Sequence, residues 1–565
     1  MRKQENRSPQ TLATPSVSCA AINEHTHIPH FSSNSQLNHA TVSDGRIASS
    51  KTKAISAILL PSIGNMVFVA VLFVLVFNSG QGLLGDGDTG YHIRTGEIIL
   101  QTWDVPKQDI YSLHVPPLKW TAHEWLAEVI MAMIFRFVGL TGIVVFFAFL
   151  FAMTHWLLYQ TLRSKSQDIL LCTCITMLAT ATSSTHWLAR PHSFSLLLAV
   201  IWCHCLDRFQ YNNDRTLMYL PLLMLFWVNL HGGYFIGLVL LVIYLIGNVV
   251  YSISGRPDQV QRYRVKAKTL FLVLIATVVI CAINPYGFEI LWFPIRVTSD
   301  RFVMDRVTEF MSPNFHDVLP FKYMLLAAIG LLALSRSPLN LIEVALITLL
   351  SYMALYSGRH VSLFAIVAAP LLLRTAVSII DKMPQPFLRY YRNRNLNLNA
   401  IDTSLQGYFW PVIAVLFVSG LILTGTLKYH FDDKKFPVAA VEFLKKETVT
   451  GNMFNNDEFG DYIIFAAWPT YRVFMDGRSD MYGEKLGSAY LTIANVQPGW
   501  REILGKYDIS WIIFDTYSAL TAALRDQRDW QPIYSDRVAT IFVKKDAAHE
   551  PLLARYPAIT LPYER

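Results

Sequence analysis

The sequence predicts an α-helical polytopic membrane protein of about eleven spans, closed by a C-terminal extracytoplasmic α/β domain. Three observations predict it. First, the 565 residues are 53% hydrophobic and only 16% charged, where a soluble chain carries roughly a quarter charged residues. Second, apolar runs able or nearly able to cross about 30 Å of hydrocarbon recur along residues 55–427. Third, from about residue 428 the pattern changes to short strand-like and helix-like runs in alternation.

Residues 1–53 are rich in Ser, Asn, Thr and His and poor in large apolar side chains, as in a disordered cytoplasmic tail. The membrane domain is expected over 54–427, with spans near 55–77, 139–160, 168–186, 193–206, 217–230, 233–251, 268–283, 321–335, 339–356, 360–374 and 408–427. The run 122–137, "AHEWLAEVIMAMIFRF", holds Glu124, Glu128 and Arg136 among apolar residues at helical spacing, and reads as an amphipathic helix on the membrane surface. Leaving it out of the count puts every strongly basic loop on one side, including "RPDQVQRYRVKAK" and the segment from Arg374 to Arg394. Basic residues mark the cytoplasmic side. The N-terminus is therefore expected in the cytoplasm, the first large loop (78–138) outside, and the C-terminus outside.

Residues 428–565 should form the outer α/β domain. "VAAVEFLKK" and "WREILGKY" read as helices; "GNMFNN", "YRVFMDG", "SWIIFDT" and "ATIFVKK" read as strands or strand-like runs. The six cysteines fall in the tail or in apolar runs, so no disulfide framework is implied, and the C-x-C pairs at 172 and 203 lack usual zinc spacing.

With this sidedness, the ionisable residues least expected near lipid gather on the outer face. Such residues are functional candidates by default. "GDGDTGYH" places Asp86 and Asp88 one residue apart on a glycine-rich turn, with His92 and Glu97 following. Two such carboxylates can reach one reacting hydroxyl or one cation, and burial near lipid raises a carboxyl pKa toward that of a general base. A solvated turn past a helix end gives the same pattern for local reasons. The first loop also carries His123 and Glu124. "WLARPHSF" sets Arg190 and His192 at the start of a span, and "SGRHVSLF" repeats this with Arg359 and His360. These four suit a phosphate, because arginine forks bind it in bidentate fashion; interfacial anchoring is the plainer alternative. His231 in "NLHGGY" is either a support residue or a cap on a helix hairpin. Asp476, Arg478 and Asp480 in "FMDGRSDMYG" form either an internal ion-pair network or an acceptor-binding edge.

The sequence contains no G-x-x-x-x-G-K-[ST], G-x-S-x-G or H-E-x-x-H motif, which argues against an ATP-driven pump and common hydrolases. The basic loops flank spans instead of striping a folded face, so no nucleic-acid partner is expected.

The order of parts resembles the GT-C class of polytopic membrane glycosyltransferases, such as protein O-mannosyltransferases, oligosaccharyltransferases and aminoarabinose transferases. More closely, "DGDTGYHIRTGEIIL", "EWLAEVI", "ARPHSFSLLL", "NLHGGYFIGL", "NPYG" and "VFMDGRSDMYG" resemble a bacterial group of polytopic proteins placed near those enzymes. The resemblance implies a sugar transferase of the bacterial cytoplasmic (inner) membrane, working at its outer face on membrane lipid. The donor would be a polyprenyl-phosphate sugar and the acceptor a glycan, lipid or protein. It implies that Asp86 or Asp88 is the catalytic base or assists a divalent metal ion, Mg or Mn. The second external loop, "THWLARPH", lacks the carboxylate often found there in the class. Other architectures compatible with the charges are a lipid-sugar or polysaccharide transporter or flippase, and a non-catalytic component of an envelope polysaccharide assembly complex. A transporter should show ionisable groups at mid-span and repeated halves; neither is evident.

Overall fold

The computed structural model describes residues 59–556 and 559, apart from 318, 336 and 406. The expected tail, 1–53, lies outside the described residues. Helices occupy the places of all the expected spans: α1 (Ile63–Leu83), α3 (Trp125–Lys165), α4 (Ile169–Ser183), α5 (His192–Asn212), α6 (Leu220–Leu230), α7 (Tyr234–Ser254), α8 (Pro257–Ile280), α9 (Pro320–Leu334), α10 (Leu341–Tyr356), α11 (Val361–Ile380) and α13 (Phe409–Leu423). Between α1 and α3 the long connecting loop forms α2 (Asp88–Thr102).

Among the described residues, five helical segments are long and apolar enough to cross a membrane: Ile63–Leu83, Trp125–Lys165, Ile169–His186, Tyr234–Ser254 and Gly358–Ile380. The bent pair α12 (Gln385–Ser404) and α13 makes up to six, and three further apolar helices are shorter. The expected count of eleven is not reached by this measure. α5 carries Asp207 and Arg208 near its end, and the first half of α8 is charged, so both are long but less apolar. α12 was not expected at all; its sequence, QPFLRYYRNRNLNLNAIDTS, has too few apolar residues to signal a helix by periodicity.

Local signals explain the main boundaries. Ser62 and Asp168 cap α1 and α4 by accepting from backbone N–H groups, and Asn340 with Glu343 forms a capping box on α10. Gly139, at φ 67°, breaks α3 in the left-handed region that favours glycine. The break divides the expected surface helix, 122–137, from the expected span, 139–160. The bundle core is large and aromatic, with Trp202 edge-on to Trp227 at 5.6 Å.

The last segment contains α14 (Val438–Lys446), β1 (Asn452–Asn455), α15 (Asp457–Ala467), α16 (Ser479–Ala494), α17 (Trp500–Lys506), β2 (Ile509–Asp515), α18 (Ala519–Arg525), β3 (Trp530–Ser535), β4 (Ala539–Lys544) and α19 (Glu550–Arg555). The sheet order is β1-β2-β4-β3, with β1 parallel to β2 and the other pairs antiparallel. Trp511 and Ile513 join one apolar layer, Ile512 and Phe514 the other. Both faces are covered, which is why the β2 sequence is apolar without alternation.

"YRVFMDG" is not a strand. Its backbone makes a single bridge, Val473 to Ser112. The Asn455 side chain takes the remaining bonds: Phe474 N–H donates to its Oδ1 (2.7 Å), and its Nδ2 donates to Met475 O (2.7 Å). The segment is thus pinned as a loop, which carries Asp476, Gly477 and Arg478 toward the N-terminal end of α2.

Candidate functional site

The acidic motif is a tight turn running straight into α2. The Asp88 N–H donates to Asp86 Oδ1 at 2.9 Å, so Asp86 stabilises the start of the helix while its other oxygen stays free of that bond. Backbone stitching then brings the second outer loop alongside. Ala189 N–H donates to Leu83 O (2.8 Å), and the Thr89 hydroxyl donates to Ala189 O (3.1 Å). Arg190 is the next residue. Pro191 follows it immediately before α5, as suits a helix start.

Arg190 collects three carboxylates. Its Nη1 lies 2.7 Å from Asp86 Oδ2 and 2.5 Å from Glu309 Oε1, and its Nη2 lies 2.5 Å from Asp88 Oδ2. Glu309 sits on a short turn held to the fifth outer loop, where Gly358 N–H donates to Met311 O (3.0 Å) and the Ser357 hydroxyl to Glu309 O (3.0 Å). Arg359 follows, its Nε 3.2 Å from Glu309 Oε2 and its guanidinium over the Phe310 ring. Asp86, Asp88, Arg190 and Arg359, expected to meet, form one chain, and Glu309 joins its two halves.

Burial dominates the electrostatics. Asp88 is 6% exposed. Burial pushes its carboxyl up to about 8; Arg190 pulls it down, while Asp86 and Glu309 push it up further. Burial also opposes the charge on Glu309, but Arg190 and Arg359 hold it well below the usual carboxylate range. The Arg190 charge, likewise opposed by burial, is held by Asp86, Asp88 and Glu309.

The outer segment roofs the pair. The Gly477 N–H donates to Asp461 Oδ1 (2.9 Å), and a Cβ on Gly477 would lie 2.1 Å from Asp88 Oδ1. Only glycine permits that approach. Burial, then Asp88, raises the Asp461 pKa. Asp461 was missed by sequence reading, because an acid within the helical run "DEFGDYIIFAA" carries no signal of what it faces.

The remaining candidates sort into other places. His92 is not on the Arg190 cluster. It is buried against Glu128 (Nδ1 to Oε1, 3.1 Å) and Glu124 (Nε2 to Oε2, 3.6 Å), and burial holds its pKa well below the ordinary value. The same Glu124 approaches His123 (3.7 Å) and His231 (3.5 Å). His231 also accepts the Gly233 N–H at Nδ1 (2.9 Å), so it caps the turn into α7. Glu97 pairs with Arg94 (2.6 Å), whose other nitrogen donates to Phe465 O; it tethers α2 to α15 and does not join the acids. His192 donates to His186 O (3.1 Å), leaving its Nδ1 buried without a hydrogen-bond partner among the described residues; Nδ1 of His360 is in the same state.

Asp476 and Arg478 realise the ion-pair alternative. The Arg478 guanidinium packs against the rings of Tyr111 and Trp120, reaches Asp476 (2.6 Å) and Asp109 (2.8 Å), and Tyr482 donates to Asp476 (2.7 Å). Asp480 lines a recess with Tyr91, Trp120, His123, Glu124 and Arg478.

No protein-family model matches the sequence, and no curated protein matches it. Solved structures do share the architecture. The apo oligosaccharyltransferase of Archaeoglobus fulgidus superimposes with a TM-score of 0.53 at 12% identity, over 88% of this chain and 74% of that one. The archaeal oligosaccharyltransferase AglB of the same organism, in complex with an inhibitory peptide and a dolichol-phosphate, gives 0.51 at 11% identity, over 80% and 69%. The chain shares the fold of these two structures. Within this fold, the acids that open α2 and the arginines of two later loops share one partly buried cluster.

Proposed function

We propose that the protein is a glycosyltransferase of the bacterial cytoplasmic membrane that moves a sugar from a polyprenyl-phosphate donor to a glycan, lipid or protein acceptor at the outer face. One observation carries this reading: Asp86, Asp88, Arg190, Glu309 and Arg359 converge in a single, partly buried cluster. The likeness to a structure holding a dolichol-phosphate supports a lipid-phosphate donor.

In the proposed reaction the acceptor hydroxyl attacks the anomeric carbon, and Asp88 takes its proton. A carboxyl pushed up to about 8 is a stronger base than an ordinary aspartate while still ionising near neutral pH. The sugar–phosphate bond breaks with inversion, and negative charge grows on the leaving phosphate. Arg359 meets Glu309 through Nε, so its terminal nitrogens would serve as donors for that charge, and the unpartnered Nδ1 atoms of His192 and His360 would add to them. Asp476 and Arg478 fix the outer segment over the cluster, and His123, Glu124, His231 and Asp480 form the polar wall toward the acceptor.

The test is transfer from a labelled polyprenyl-phosphate sugar in membranes carrying wild-type or Asp88→Asn protein at equal immunoblot levels. Transfer by the wild type and its loss in the variant is the expected result. Equal transfer by both would remove Asp88 from the mechanism.

A further inference from the structure

The resemblance to metal-assisted transferases raises the question of whether the acid cluster fits a divalent ion. A magnesium or manganese site needs several oxygens converging at about 2.0–2.2 Å on one empty point. Here the oxygens converge on a side chain. Asp86 Oδ2, Asp88 Oδ2 and Glu309 Oε1 all close on the Arg190 guanidinium at 2.5–2.7 Å. The other oxygens are also committed: Asp86 Oδ1 accepts the Asp88 N–H, and Glu309 Oε2 faces Arg359. That leaves Asp88 Oδ1, which faces Gly477, outside these pairs. Among the described residues no group of three or more His, Cys, Asp and Glu is placed to hold a metal ion. The residues present do not fit the metal.

We propose that Arg190 is the resident cation of this site, standing where the resemblance would put a divalent ion, so that the acid cluster is ordered without metal. The chemistry matches. A guanidinium presents five donors in a rigid plane and keeps its charge at any working pH, so it can hold two acids from one loop and a third from another in fixed relation. The charges already balance closely: two arginines face three acids, and the most buried acid, Asp88, favours its neutral form. A doubly charged ion added beside the guanidinium would meet repulsion and find no uncommitted cage. Arg190 is on this view a positioning residue that aims Asp88 Oδ1, the one oxygen left over, at the reacting hydroxyl.

The inference concerns ion occupancy, and its readouts need no donor or acceptor, so it stands or falls separately from the transferase reading. Full-length protein in detergent, stripped with EDTA, is titrated with Mn2+ while free ion is followed by electron paramagnetic resonance, and thermal unfolding is recorded in EDTA and in Mn2+. The wild type should bind no stoichiometric Mn2+ and unfold at the same temperature in both. Arg190→Met keeps the three acids and removes the cation; it should unfold at a lower temperature that Mn2+ raises. One equivalent of Mn2+ bound by the wild type and lost in Asp88→Asn would overturn the proposal. So would an Arg190→Met protein whose unfolding temperature ignores Mn2+. If that variant does not fold, the wild-type titration still decides.

Discussion

At Asp88, burial and the Arg190 charge pull in opposite directions, and burial, joined by the neighbouring acids, wins. The sign of the consequence for activity follows directly. A base must be ionised, and the ionised fraction of a carboxyl held at about 8 grows with pH until that value is passed. The proposed transfer should therefore rise from about pH 6 to about pH 8 and level off above, read as kcat/KM against pH. A flat profile would sink the assignment. Asp88→Asn should lower the rate by on the order of 10²–10⁴-fold, the usual worth of a positioned base. Arg478 makes a separate residue-scale case. It is 3% exposed, paired with two acids and packed against two rings. Arg478→Ala leaves Asp109 and Asp476 buried without their cation and should destabilise by about 3–5 kcal/mol, measured by unfolding in detergent; Arg478→Lys should recover only part, having no fork. Asp86, Asp88, Arg190 and Arg359 were legible as a group because sorting loops by charge put them all on one face. Glu309, in "DRVTEFMSP", carries no signal in its neighbours of the arginines it faces. His92 misled because it lies four residues after Asp88: a helix starting at Asp88 carries it about one turn, roughly 5.4 Å, along the axis to Glu124 and Glu128 instead.

Among elements, the decisive meeting is α2 with the loop after α15. Gly477→Ala adds one methyl group that would stand 2.1 Å from Asp88 Oδ1 and 3.0 Å from an Asp461 oxygen. No charge changes, yet the loop or the aspartate must move. The variant should lose transfer with a loss of stability of about 1–3 kcal/mol, as for other overpacked sites; full activity at wild-type stability would show that the roof is loose. Helix α14 and strands β2 and β4 were readable because local pattern and buried faces agree there. The "YRVFMDG" run failed because its apolar residues suit a strand, but a side chain from β1 holds Phe474 N–H and Met475 O where a sheet partner would be needed. No pattern within those seven residues encodes Asn455.

For the whole molecule, the outer segment does not complete its own interior. Tyr91, Tyr111, Trp120 and Ala122 of the first outer loop lie in the same apolar cluster as Trp511, Ile541 and Val543 of the sheet. Residues 428–565 expressed alone should therefore show poor dispersion in proton–nitrogen spectra and no cooperative melt, and fusion to residues 84–124 should improve both. A well-dispersed isolated segment would refute this. The change from apolar helices to a small sheet was readable from composition, whereas this shared interior was not, because aromatics such as those of "YSLHVPPLKW" also serve as interfacial anchors. Of the eleven expected crossings, five helical segments among the described residues have the length and composition of a span; the others are shorter or more polar. Finally, the roof at Gly477 bears on fidelity. An activated sugar carrier can react with water as readily as with an alcohol, and water outnumbers any acceptor. Under the proposed reading, a base such as Asp88, 6% exposed beneath the Gly477 loop, meets few waters to activate. Opening that roof without blocking Asp88 should turn the proposed transferase into a slow hydrolase, losing donor to solvent.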